Sequence, residues 1–181
     1  MNPRRAHVIR TTDLAEVGVR LNLDGEGDGA MQTGIPFLDH MLTLLARNGG
    51  FDLEVQCQAD PANPEAAARE IGICLGLAFS KTLEFGRSAN RNGHAYAAVQ
   101  HHLARTVAEL PGHPHLSLGA AATASYPAGP EAGMVEKFWR AFAESARVNL
   151  HIELLQGGDG SPAFEAVFKA AGRALRAACR A

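Results

Sequence analysis

Thr33-Gly34-Ile35-Pro36-Phe37-Leu38-Asp39-His40-Met41, with Phe51-Asp52-Leu53 downstream, is the stretch on which the reading of the fold turns. Pro36 stands where a helix tolerates proline, in its first turn. Phe37, Leu38, Met41, Leu42, Leu44 and Leu45 make an apolar stripe down a helix that ends at Asn48-Gly49-Gly50, where glycine supplies a C-cap. Asp39 reads as a cap or brace of that helix, and His40 as a hydrogen-bonded structural histidine on it. Residues 51–57 alternate as a strand, Asp60-Pro61-Ala62-Asn63-Pro64 is a loop, and a helix runs from about 65 to 85. Ile71, Cys74, Leu75, Ala78 and Leu83 give this second helix a face suited to packing on a sheet.

Upstream, residues 6–11 and 15–23 read as strands, because Val17, Val19, Leu21 and Leu23 alternate onto one face. Asp24-Gly25-Glu26-Gly27-Asp28-Gly29 is turn chemistry, and a short strand at 30–33 is expected to pair back across it. Downstream the order recurs. Residues 95–109 and 115–122 are strand-like, with Leu110-Pro111-Gly112 turning between them. A helix follows over 130–146, a strand over 148–155, a glycine loop over 156–160 and a last helix over 162–179. Strand, strand, helix, strand, helix thus occurs twice, which reads as internal duplication of a helix-on-sheet unit of α+β class. Phe51-Asp52-Leu53-Glu54 matches Leu150-His151-Ile152-Glu153, and the helix at 65–85 matches that at 162–179. The half-repeats run about 5–86 and 87–181 of a single 1–181 domain, with no linker between them, so they are expected to share one core.

The chain has 181 residues, 17 basic and 19 acidic, for a net charge of −2. That balance excludes a nucleic-acid footprint. No apolar run has signal or membrane-span length, so a cytoplasmic protein without membrane contact is expected. Cys57, Cys74 and Cys179 are odd in number and far apart, which suits reduced thiols. Ser145 and Ser161 lack a Gly-x-Ser-x-Gly context, so no hydrolase triad is read. His94, His101, His102, His113 and His115 cluster in sequence. On a strand His101 and His102 would point to opposite faces, and imidazoles suit zinc, nickel or copper. His151 alternates with Leu150 and Ile152 and faces away from them, as a pocket residue or a surface one. Glu165 and Lys169 lie one helical turn apart, in the favourable order for an exposed pair. The glycine loop before the last helix reads as a tight turn or as a place for an anion.

The Phe-Leu-Asp-His-Met helix, Phe51-Asp52-Leu53, Leu21-Asn22-Leu23-Asp24-Gly25 and Phe164-Glu165-Ala166-Val167-Phe168-Lys169-Ala170 together resemble imidazoleglycerol-phosphate dehydratase, the manganese lyase of histidine biosynthesis. The resemblance implies two similar half-domains with sheets packed against helices, in the class of ribosomal protein S5 domain 2-like folds. It also implies trimers that metal ions help join into a 24-subunit shell. Two His-His-x-x-Glu motifs, one opening each long helix, would join a histidine of the Phe-Leu-Asp-His-Met helix and one of the late strand around two manganese ions. Adjacent histidines at a helix start can point to two metals, and a Glu one turn on returns to the same face.

Those motifs are altered here. The first reads Glu65-Ala66-Ala67-Ala68-Arg69-Glu70, with an arginine where the ligand Glu belongs. The second reads Ser161-Pro162-Ala163-Phe164-Glu165, without histidines but with the Glu. His40, His151 and Glu165 survive as remnants of the implied ligand set. The Glu that the family uses in proton transfer is replaced by Leu14. Arg-x-Thr-x-Glu-Thr has become Arg10-Thr11-Thr12-Asp13-Leu14-Ala15, and Ser-Gly-Arg-Pro has become Pro111-Gly112-His113-Pro114. Arg91 and Lys169 match two phosphate-contacting positions.

The expectations follow from that pattern. The chain should be a dehydratase-like protein that has lost the manganese-dependent dehydration, a pseudoenzyme with a degenerate metal site and no cofactor. It should bind a phosphorylated small molecule, or act as a structural or regulatory subunit that co-assembles with an active dehydratase. The homo-oligomer should be a trimer or smaller. A residual or repurposed lyase with a relocated histidine metal site is the alternative.

Overall fold

The computed structural model describes residues 4–84, 90–110, 113–119, 127 and 129–180. The turn expected at Pro111-Gly112 and the strand residues at 120–122 lie outside the described residues. In chain order the first half contains β1 (Arg5–Thr11), β2 (Ala15–Asn22), β3 (Gly29–Gln32), α1 (Pro36–Gly49), β4 (Asp52–Ala59) and α2 (Pro64–Glu84). The second contains β5 (Asn92–Val99), β6 (His102–Glu109), β7 (His115–Leu118), α3 (Ala132–Ala146), β8 (Asn149–Gln156) and α4 (Ser161–Cys179). The sheets are β1-β2-β4-β3 and β5-β6-β8-β7, the same order twice.

The strands alternate as their sequences dictate. Val17, Val19 and Leu21 of β2 turn inward, while Glu16 and Arg20 turn out. Each half is therefore a sheet with helices on its inner face, and the halves meet helix to helix, α2 on α3 and α1 on α4. Trp139, Phe138, Phe142 and Phe168 pack ring against ring in the shared core, with Phe79 against Phe142.

The duplication is visible in individual hydrogen bonds. Gly50 and Arg147 both adopt left-handed C-cap conformations, and the next amides, of Phe51 and Val148, donate to Ala46 and Ala143. Phe51 thus corresponds to Val148 and Leu53 to Leu150, two residues away from the match expected from sequence. A two-residue slip keeps every side chain on its face, so alternation alone could not detect it. The helix crossings repeat as well. A Cβ on Gly76 of α2 would lie 2.8 Å from the Phe142 carbonyl oxygen of α3 and 2.9 Å from the Ala146 amide. A Cβ on Gly172 of α4 would lie 2.5 Å from the Leu45 carbonyl oxygen of α1 and 2.9 Å from the Gly49 amide.

Three expectations need correction. β3 pairs parallel with β4, not back across the turn onto β2. The Asp52 carboxylate accepts the Glu26 and Asp28 amides and draws the loop over β4, while β2 already pairs with β1 and β4. The stretch 95–109 is two strands, because Gln100 at φ 53° and His101 make a turn. The second half consequently opens with three strands rather than the two expected, matching the three of the first half.

Candidate functional site

His40 and Glu165 face each other where α1 packs on α4. Phe37 meets Phe164 edge-on, with centroids 5.6 Å apart, and fixes this contact. One turn along, His40 Nε2 lies 3.4 Å from Glu165 Oε1. Glu165 therefore turns to His40, and the expected pair with Lys169 is absent. Lys169 is half-buried and has neither a hydrogen bond nor an ion pair among the described residues. Asp39 braces the entry to α1, accepting the Thr33 amide at 2.8 Å and the Thr33 hydroxyl at 2.6 Å.

His151 does not join this pair. It stands exposed on the outer face of the second sheet, beside His115, with ring centroids 5.5 Å apart. Arg91, exposed at φ 51°, precedes β5 next to Asn90, which reaches the Ala177 carbonyl near the far end of α4. Lys169 and Ala177 are separated by eight helical residues, roughly 12 Å of rise, so one chain does not unite the two phosphate candidates. His101 and His102 also depart from expectation. Their ring centroids lie 4.1 Å apart with the planes tilted by 35°, because His101 belongs to the turn rather than to a strand. His102 is buried against Gly157, and its Nδ1 has no partner.

The start of α2 is a knot of charge. Glu70 is only 2 % exposed and accepts Arg10 Nε at 2.9 Å and an Arg69 Nη at 2.8 Å. The second guanidinium and the buried carboxylate make this a clamp rather than an exposed ion pair. Alternation of β1, which turns Arg10 partly toward α2, was the one sequence signal for it. Glu65 pairs with Lys137 of α3. Leu14, Glu65, Ala66 and Arg69 line one groove of about 440 Å³ with Lys137 and Arg140. Leu14 and Arg69 there occupy the proton-transfer and ligand-Glu positions of the resemblance.

The start of α4 is plain by contrast. Gly160 is its N-cap, no side chain caps it, and Pro162 lies in the first turn. Proline has no N–H, and the Ala163 amide already donates to the Gly160 carbonyl, so few amides are left for an anion. The tight-turn reading of residues 156–160 fits this geometry.

A manganese ion takes several oxygen and nitrogen donors in an octahedral set. Among the described residues no three His, Cys, Asp or Glu side chains converge to hold an ion. His40 and Glu165 are the only remnants brought together, and at the other helix start a guanidinium that cannot lose its proton replaces a carboxylate. The donor set of a single chain does not fit the two-ion centre, and no chemical step is derived through it.

Residues 33–175 match the family model described as imidazoleglycerol-phosphate dehydratase. The chain is 41% identical over 180 residues to the imidazoleglycerol-phosphate dehydratase of Salinibacter ruber, covering 99% of this chain and 89% of that protein. It is 42% identical over 176 residues to that of Heliobacterium modesticaldum, covering 97% and 90%. Among solved structures it is similar to the dehydratase of Staphylococcus aureus, with TM-score 0.83, 31% identity and coverage of 98% and 99%. The Pyrococcus furiosus structure gives TM-score 0.82, 26% identity and coverage of 96% and 93%. These matches overturn the expectation that no cofactor is involved, since relatives this similar carry the name of a manganese-dependent dehydratase. No helix among the described residues is long and apolar enough to cross a membrane.

Proposed function

Because this chain belongs to the imidazoleglycerol-phosphate dehydratase family, of histidine biosynthesis, we propose that it is a member whose scaffold serves binding or regulation rather than dehydration. One observation carries the reading: Arg69 stands where a ligand carboxylate belongs and is tied to a buried Glu70 that Arg10 also holds. Turning Arg69 away from the groove would leave Glu70 with a single partner, so the guanidinium is built into the helix start. Its fixed charge opposes a cation there. Leu14 at the proton-transfer position removes the acid–base group from the same groove.

The reading concerns turnover. Manganese held by His40 and Glu165 with help from a neighbouring chain is compatible with it. The ligand we propose is a phosphorylated small molecule, supported by Lys169, unpaired among the described residues; the exposed Arg91 is a second, separate cation. The assembly we propose is a homo-oligomer no larger than a trimer, or a mixed one with an active dehydratase. The altered helix starts weaken any contact that depends on metal.

The test is a dehydratase assay of the purified chain in manganese, beside a named relative as control. Turnover within tenfold of the control refutes the proposal. Its absence, with substrate or inorganic phosphate still bound and binding weakened by Lys169→Ala, supports it. A residual lyase is the second reading, favoured by 41–42% identity to named dehydratases over almost the whole chain. Turnover abolished by His40→Ala would establish it.

A further inference from the structure

The open face of the second sheet carries two imidazoles in an arrangement that the dehydratase resemblance does not assign. β7 and β8 are parallel, with His115 opposite Asn149 and Ser117 opposite His151. Side chains alternate along a strand, so His115 and His151 are diagonal neighbours on one face. Both are exposed, their ring centroids are 5.5 Å apart, and their planes cross at 47°. Neither imidazole has a hydrogen bond or ion pair among the described residues; the ring contact of each is with the other.

We propose that His115 and His151 chelate a borderline divalent cation, zinc, nickel or copper, on this sheet of a single chain. The separation suits the task. With a zinc–nitrogen bond of about 2.0–2.1 Å the metal lies roughly 3.2 Å from each ring centre, and a tetrahedral angle then puts the centres about 5.2 Å apart. The observed spacing differs by a few tenths of an ångström, within reach of a small change in side-chain torsion. Strand pairing already fixes both backbones, so little ordering is left for the metal to impose.

The surroundings are consistent with a cation. Asn149 Nδ2 donates to Glu109 Oε2 at 3.2 Å, while its Oδ1 is buried without a partner. Opposite His115, that oxygen is available to an imidazole N–H, the outer contact that sets tautomer and ring orientation in histidine metal sites. The nearby Arg105 guanidinium is held by Glu153 at 2.9 Å and does not present a free positive charge. Water completes the coordination, as in other sites that keep open positions. Soft and borderline ions are favoured over manganese because both protein donors are imidazoles.

The experiment titrates zinc, and cobalt for its visible spectrum, into the metal-stripped full chain by calorimetry and absorbance. One equivalent per chain is expected, with affinity lowered at least tenfold by His115→Gln and by His151→Gln. His94→Gln and His40→Gln should leave it unchanged. All four residues are exposed, and matched thermal unfolding curves verify that the variants fold. Binding that survives His115→Gln overturns the proposal. So does binding lost in His40→Gln or Glu165→Gln alone, which would place the ion between α1 and α4. Manganese-dependent turnover tests the functional reading instead and is indifferent to His115, so the two can fail separately.

Discussion

The two long helices, α2 and α4, hold the same place in the two halves of the fold, and they agree in the middle but differ at the start. Gly76 and Gly172 each let a neighbouring helix approach backbone to backbone, on residues that correspond in α3 and α1. The starts have diverged. α2 opens in a network joining Glu65 to Lys137 and Arg10 and Arg69 to Glu70, whereas α4 opens on Gly160, Ser161 and Pro162 and offers Glu165 to His40. The crossings are demanded by packing, which tolerates no added atom. The starts, Glu70 apart, place the charged side chains that differ toward a groove or solvent, where packing constrains the choice of residue less. Between the two long helices, the divergence is concentrated at the starts, where the resemblance places its metal motifs.

Breaking either crossing should have the largest effect. Valine at Gly172 puts a branched side chain where even a Cβ would lie 2.5 Å from the Leu45 carbonyl, and overpacking of this kind costs about 3 kcal/mol or more. Gly76→Val should cost a similar amount, read as loss of soluble protein or a lowered urea midpoint. An unchanged midpoint in one of the two would end the equivalence of the crossings.

The helix starts should separate more sharply. Glu70→Gln strands Arg10 and Arg69 on a buried amide, and a loss of about 2 kcal/mol is expected, less than for a fully buried pair because both guanidinium groups are partly in water. Glu165→Gln faces an imidazole that is half in solvent, so a change within about 0.5 kcal/mol is expected. Equal losses in the two variants would show that α4 is as tightly constrained at its start as α2.

Much of this was legible in the chain. Helix and strand boundaries followed from alternation, from Pro36 and from the Gly49-Gly50 stop, because burial on one face and capping act locally. The parallel pairing of β3 was hidden, since it depends on the Asp52 carboxylate gathering amides from a loop more than twenty residues upstream. The Gln100–His101 turn was hidden because Gln100 takes a left-handed conformation without the usual glycine or asparagine. Within the candidate site, the retained and altered family positions could be counted from sequence. That Arg69 is clamped, that Glu165 prefers His40 to Lys169, and that His115 reaches His151 are facts of strand register and helix packing, which no local pattern encodes.

The thiols sharpen the comparison on a smaller scale, since Cys74 lies in α2 and Cys179 closes α4. Burial pushes the Cys74 thiol up to about 11 and the Cys179 thiol up to about 12. Cys57 is also raised, by burial first, but it is half-buried rather than sealed. A thiol-reactive probe at pH 8 should label Cys57 first, with Cys74 and Cys179 following only on unfolding. For both buried thiols the folded value lies above the unfolded one. Their contribution to stability is complete below about 9 and is lost as pH rises through 11 and 12. Rapid native labelling of Cys179 would mean that the end of α4 opens.

The smallest expected effect concerns two corresponding strand ends where acid and amide have exchanged places. Asn22 donates to Asp52 at 3.0 Å in the first half, and Asn149 donates to Glu109 at 3.2 Å in the second. The Glu26 amide is the main group holding the Asp52 carboxyl below its ordinary value; burial opposes it, and Asn22 and the Asp28 amide add to the lowering. A depressed folded value means the stabilisation is present above the unfolded value of about 3.9 and disappears as pH falls through the folded one. Asp52→Asn keeps an oxygen for the two loop amides but removes the titration. Its stability near neutrality should fall only slightly, while its decline as pH falls below the ordinary carboxylate range should be shallower than that of the parent chain. Asn149→Asp, at the corresponding position, supplies no loop amides and sets a second carboxylate against Glu109, so it should destabilise near neutrality and recover in acid. Parallel acid-unfolding curves for the two variants would show that the exchange of residues carries no difference in charge environment between the halves.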